Sequence, residues 1–148
     1  MLLVQASSIC KLDPLICNEL GVLCYQKRDF RAAVAHLRRA LALLALDRMS
    51  STWQPVLSNL GHAYRKLARY DDAVAAFHQA LGHAPGDAAT LSALGLTHHL
   101  RGALTAAIAT YHKALAFRAD CGLTQDLLQT ALSEHCALCC QTDDPGLM

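Results

Sequence analysis

The residues best equipped for chemistry lie near the end of the chain. His135, Cys136, Cys139 and Cys140 place one imidazole and three thiols within six positions. Tetrahedral zinc takes four such ligands, usually as two paired clusters. No second cluster stands nearby, so the run reads as free thiols at a helix end, and neither a metal nor another cofactor is expected. The chain shows no glycine-rich phosphate loop, nucleophile elbow or paired carboxylates at a helix-lined pocket, so it does not read as an enzyme. What remains is binding chemistry. Asn59 offers an amide donor and an acceptor on one short side chain, which suits gripping a peptide backbone. Arg65 and Lys66 could meet an acidic ligand group or stand as a solvated pair.

A repeating frame must position these groups. From Leu57 to Pro85 the chain reads Leu57, Leu60, Gly61, Tyr64, then Ala73, Phe77, Ala80 and Pro85, with a polar turn around 67–71. The series returns 34 residues later as Leu91, Leu94, Gly95, His98, Ala107, Tyr111 and Ala114. It also lies 40 residues earlier as Cys17, Leu20, Gly21, Cys24, Ala33, Leu37 and Ala40. In the second half of each unit the apolar residues fall at i, i+1, i+4, i+7 and i+8, one broad face of an α-helix.

A glycine inside a helix costs roughly 1 kcal/mol relative to alanine. Gly21, Gly61 and Gly95 at one repeat position therefore need a compensating gain, and close approach of the partner helix supplies it. Ala33, Ala73 and Ala107 are expected at that level of the partner helix. Ala40, Ala80 and Ala114 are expected to face the first helix of the following unit, with Leu37, Phe77 and Tyr111 filling the space between. Each helix pair leaves apolar surface that only a neighbouring pair covers, so the units are expected to stack.

The expected division is a remnant of a preceding repeat over 1–13, repeats over 14–47, 54–87 and 88–121, a closing helix over 122–138, and a disordered tail over 139–148. Asp47–Thr52 reads as an insertion that delays Trp53, with Ser50, Ser51 and Thr52 as N-cap candidates. Ala84-Pro85-Gly86 is a helix stop. Gln129 stands where a fourth repeat glycine would fall, so the last helix reads as closing the array, with Leu127, Leu128, Ala131 and Leu132 on its apolar side. A chain that opens inside a repeat reads as the C-terminal portion of a longer array, or a shortened product of it.

Composition sets the outer limits. An apolar fraction of 53% follows from alanine and leucine at helix seams, and no run approaches the ~20 apolar residues of a membrane span. A net charge of +1 gives no reason to expect nucleic acid or an acidic membrane surface. Seven cysteines, an odd number without a secretory signal, point to free thiols in a reducing compartment, nucleus and cytoplasm. His98 takes a core repeat position, whereas His36, His78, His83 and His112 are spaced along the outer faces of second helices.

The signature positions resemble those of the tetratricopeptide (TPR) repeat, over about 14–121. The implied fold is an all-α TPR superhelix, a right-handed solenoid of antiparallel helix pairs with a closing helix. The run from Trp53 to Leu67, Asp13-Pro14 leading into Asn18–Val22, the delay before Trp53, and Ser92–Gly95 through His98 are more specific. They resemble the C-terminal repeats of one TPR family, the cell-division-cycle-sixteen subunits of the anaphase-promoting complex, a ubiquitin ligase of mitotic cell-cycle control.

The resemblance implies a non-catalytic scaffold whose concave face encloses an extended segment of a small partner subunit, beside neighbouring TPR subunits. Homodimerisation in that family uses N-terminal repeats, which this chain lacks, so none is expected here. In a TPR array the first helices line the concave face. Here that face would comprise Asn18, Val22, Tyr25 and Gln26, then Ser58, Asn59, His62, Arg65 and Lys66, then Ser92, Leu96, His99 and Leu100. A co-chaperone-type adaptor that clamps a C-terminal carboxylate is a second reading. It would need cations where Asn18, Leu96 and Leu100 stand, and a carboxylate buried against leucine lacks a counter-charge. A regulatory TPR fragment of a larger transferase is the third.

Overall fold

The computed structural model describes residues 13–46 and 53–142. The expected repeat remnant before Asp13, the insertion over 47–52 with its N-cap candidates, and the tail beyond 142 lie outside these residues. All regular structure among the described residues is α-helical: α1 (Pro14–Gln26), α2 (Phe30–Leu44), α3 (Trp53–Lys66), α4 (Tyr70–His83), α5 (Ala88–Leu100), α6 (Leu104–Phe117) and α7 (Gly122–Thr142). They fall into two compact units, one ending at Pro85 and the other beginning at Gly86.

In the first unit α1 pairs with α2 and α3 with α4, while α3 packs on α2 and reaches α1. Asp13 starts α1 by accepting the Leu15 N–H at 2.9 Å, with Pro14 at a first-turn position where its missing N–H costs nothing. Asp29 starts α2 in the same way, accepting from the Ala32 N–H at 3.1 Å. In the second unit α5 pairs with α6, and α7 packs against α6 and touches α5.

The three hairpin turns share one backbone solution. Arg28, Ala68 and Gly102 take φ of 65°, 58° and 85°, the left-handed region, at equivalent positions. The next N–H then reaches back to the carbonyls of Cys24, Tyr64 and His98, at 2.9 Å in each case, closing the first helix of each pair. Only the third turn has the glycine that this conformation favours.

The repeat glycines do face a partner, although not the one expected. A Cβ on Gly21 would stand 2.6 Å from Leu37 Cγ, one on Gly61 2.7 Å from Phe77 Cε1, and one on Gly95 2.6 Å from Tyr111 Cδ1. The gap left by each missing side chain is thus occupied by the large residue of the second helix rather than by Ala33, Ala73 or Ala107. Those alanines are completely buried, as are Ala40 and Ala80, and Ala114 is nearly so. Phe77 and Tyr111 are themselves fully buried, so their rings stand in the helix seam.

The closing helix departs from expectation at its end. It continues to Thr142 rather than stopping at 138, so residues 139–142 are helical, not tail. Nothing between Ala137 and Gln141 breaks a helix, and Pro145 and Gly146 come only later. Leu128 and Ala131 are buried against Ala107 and Tyr111, with Leu127 partly buried beside them. Leu132, expected on the same side, is 40% exposed. No helix among the described residues is long and apolar enough to cross a membrane.

Candidate functional site

The first helices of the first unit converge on a cavity of about 220 Å³, lined by Gly21, Val22 and Tyr25 of α1, Leu37 of α2, and Asn59 and His62 of α3. Its floor is the Gly21–Leu37 contact. Without a side chain on Gly21, Leu37 fills the helix seam and presents its surface to the cavity. Tyr25 is held edge-on by Phe30, with ring centroids 5.2 Å apart, and His62 sits edge-on to Phe77 at the same distance. At the rim, Asn59 Nδ2 donates to Asn18 Oδ1 at 3.1 Å, joining α1 to α3. Each amide keeps hydrogen-bonding capacity that a single mutual bond does not use.

His62 is pushed down to about pKa 4, first by burial and then by the charges of Arg65 and Lys66. Near neutral pH it is an uncharged imidazole, able to donate and to accept. Arg65 is half-buried, and its Nε is covered without a hydrogen-bond partner among the described residues, whereas Lys66 is exposed. A buried guanidinium N–H of this kind favours an incoming acceptor.

Of the residues expected to line a groove, Val22, Tyr25, Asn59 and His62 meet at the cavity, and Asn18 joins them by its bond to Asn59. Ser58, Arg65 and Lys66 share α3 with them but do not line the cavity. Leu37 and Gly21, read from sequence only as repeat positions, are part of it. The glycine at that level was the available signal, since the gap it leaves is where Leu37 comes through.

In the second unit, Ser92, Leu96 and His99 lie on α5, and α7 engages two of them. Ser92 Oγ and Thr124 Oγ1 are 2.7 Å apart, and Thr124 donates to Cys121 Sγ at 3.1 Å. With the Thr124 proton so committed, Ser92 is the donor to Thr124. His99 Nε2 lies 3.0 Å from Glu134 Oε2, while its Nδ1 is buried without a partner among the described residues. Leu96 is half-buried. Thr124 and Glu134 were not legible as partners, since no spacing rule links α7 to α5. His98 is buried, as its repeat position implies, and accepts from Arg101 Nη2 at 3.2 Å.

The thiol run sits on the exposed end of α7. His135 Nδ1 is 3.8 Å from Cys139 Sγ, and a hydrogen bond with Cys136 pushes the Cys140 thiol up from its ordinary range. Among the described residues no three such groups are placed to hold a metal ion.

Helix pairs closed by left-handed turns, with glycine opposite a large residue, fit the family model that matches residues 58–120, described as a tetratricopeptide repeat. Residues 58–120 belong to the tetratricopeptide-repeat family. The chain is 38% identical over 133 residues to anaphase-promoting complex subunit 6 of Arabidopsis thaliana, covering 90% of this chain and 24% of that protein. It is 35% identical over 135 residues to the human cell division cycle protein 16 homolog, covering 89% of this chain and 21% of the relative. Among solved structures it resembles the APC/C hetero-tetramer Cut9–Hcn1, with a TM-score of 0.83 and 36% identity over 88% of this chain and 25% of that one. The chain thus spans a quarter or less of the length of these relatives.

Proposed function

We propose that this TPR chain is a non-catalytic scaffold segment of an anaphase-promoting complex, holding an extended segment of a partner subunit along its first helices. The observation that carries the reading is the Asn18–Asn59 amide pair above the cavity lined by Val22, Tyr25 and Leu37. An extended ligand brings backbone donors and acceptors that need partners once covered. The paired amides supply these, and the apolar cavity receives one side chain. Neutral His62 can hydrogen-bond the same backbone without adding charge.

The partner is assigned by similarity. The solved relative is an assembly of Cut9 with Hcn1, and the natural ligand here is the Hcn1 counterpart. Neighbouring TPR subunits of the complex are the further partners, and nucleus and cytoplasm the place of action. Affinity capture of the full chain from dividing cells, with the bound proteins identified, tests the reading. Recovery of anaphase-promoting-complex subunits together with the Hcn1 counterpart is expected. Recovery of chaperones alone, displaced by a chaperone C-terminal peptide, would contradict it and favour a co-chaperone-type adaptor.

A further inference from the structure

The first unit has a second recess, of about 380 Å³, none of whose lining residues belongs to the amide-flanked cavity. It lies between α2 and the α3–α4 turn and is lined by Arg31, Val34, Leu67 and Arg69. Its floor is apolar, since Val34 is buried and Leu67 half-buried, while both arginines are exposed. Arg69 has two partners: Asp72 takes both its Nε and Nη2 at 2.8 Å, and its Cζ stands 4.8 Å over the Tyr64 ring. Arg31 is not in an ion pair with any described residue. The nearest acid in sequence, Asp29, is engaged with the α2 backbone through Ala32.

The positive charge continues beyond the recess. Arg38 and Arg39 follow Arg31 at i+7 and i+8, on the same exposed side of α2 and about 10 Å along its axis. Neither is ion-paired with a described residue. One guanidinium at the notch, paired with Asp72, and three along the adjoining helix without an ion-pair partner among the described residues form a basic row. Guanidinium forks match carboxylates bidentately, and an apolar floor between them matches an aliphatic side chain.

We propose that this notch and the α2 row dock an acidic protein segment. One aliphatic side chain of that segment seats on Val34 and Leu67, and its carboxylates meet Arg31, Arg38 and Arg39, beside the Asp72-paired Arg69. The floor favours a peptide over a bare polyanion, whose phosphates would gain nothing from Val34 and Leu67. The inference does not depend on what occupies the amide-flanked cavity.

The test is fluorescence anisotropy of the full chain with a labelled peptide of glutamates and aspartates around a single leucine. Saturable binding that weakens with rising salt is expected. Replacing the leucine by serine, or Arg31 by glutamate, should weaken it roughly tenfold. Arg31→Gln should fall between the two chains, and binding of the Hcn1 counterpart to Arg31→Glu should be unchanged. Circular dichroism establishes that the variants are folded. Absence of saturable binding, equal affinity of Arg31→Glu and the parent chain, or equal affinity for inorganic polyphosphate would overturn the proposal.

Discussion

Burial holds His62 uncharged beside two cations, and this sets a pH dependence for the fold. Its folded pKa of about 4 lies below the ordinary 6.5. The unfolded chain therefore takes up a proton that the folded chain refuses. The contribution is intact above pH 6.5 and is lost progressively as pH falls from 6.5 towards 4. Between pH 7.5 and pH 5 the loss is on the order of 2 kcal/mol. Urea unfolding of the parent chain and of His62→Gln at both values isolates it, because other acid-sensitive groups are common to both. The parent should lose more stability than the variant by about that amount; equal losses would mean that His62 is not desolvated.

The repeat glycines are equally sensitive to a single substitution. A methyl group on Gly61 meets the Phe77 ring at 2.7–2.8 Å, and a fully buried ring has little room to give. Overpacking costs about 1–3 kcal/mol, against about 1 kcal/mol gained in helix propensity. Gly61→Ala should therefore lower stability by roughly 1 kcal/mol, and Gly61→Val by about 2–3 kcal/mol because valine brings little propensity. Adding Phe77→Leu to Gly61→Ala should restore part of the loss, as read by thermal unfolding. Without that recovery, the contact between Gly61 and Phe77 would not be the cause.

Among the elements, the helix pairs were plain in the sequence, because apolar positions at helical spacing and a turn at a fixed interval leave few alternatives. The partner of the glycine was less plain. Spacing places Gly61, Ala73 and Phe77 on facing surfaces, but only the structure shows the ring of Phe77 in the gap. The closing helix was legible in kind and not in detail. Leu127, Leu128, Ala131 and Leu132 span a wider arc than one packing partner covers, so α6 buries Leu128 and Ala131 and leaves Leu132 near the edge. Leu128→Ala should then cost about 2–4 kcal/mol, and Leu132→Ala within about 0.5 kcal/mol, both measured by chemical denaturation. Similar costs at the two positions would mean that α7 packs through a different face.

For the molecule as a whole, the family was readable because a repeat states its pattern several times. The site was readable only in outline. Val22, Tyr25, Asn59 and His62 follow from knowing which helices line the inner face of such an array. The hydrogen bond between Asn18 and Asn59, 41 positions apart, depends on how α1 and α3 pack and not on any local signal. The contacts of Ser92 with Thr124 and of His99 with Glu134 are of the same kind.

On the proposed function, the first helices of the first unit grip the backbone of an extended partner through the Asn18–Asn59 amide pair. Isothermal titration of the full chain with the Hcn1 counterpart, beside Asn59→Ala, tests it most directly. A saturable complex that Asn59→Ala weakens roughly tenfold or more is expected, in keeping with the loss of a buried hydrogen-bonding group. Unchanged affinity on removing that amide, with the variant still folded, would contradict it.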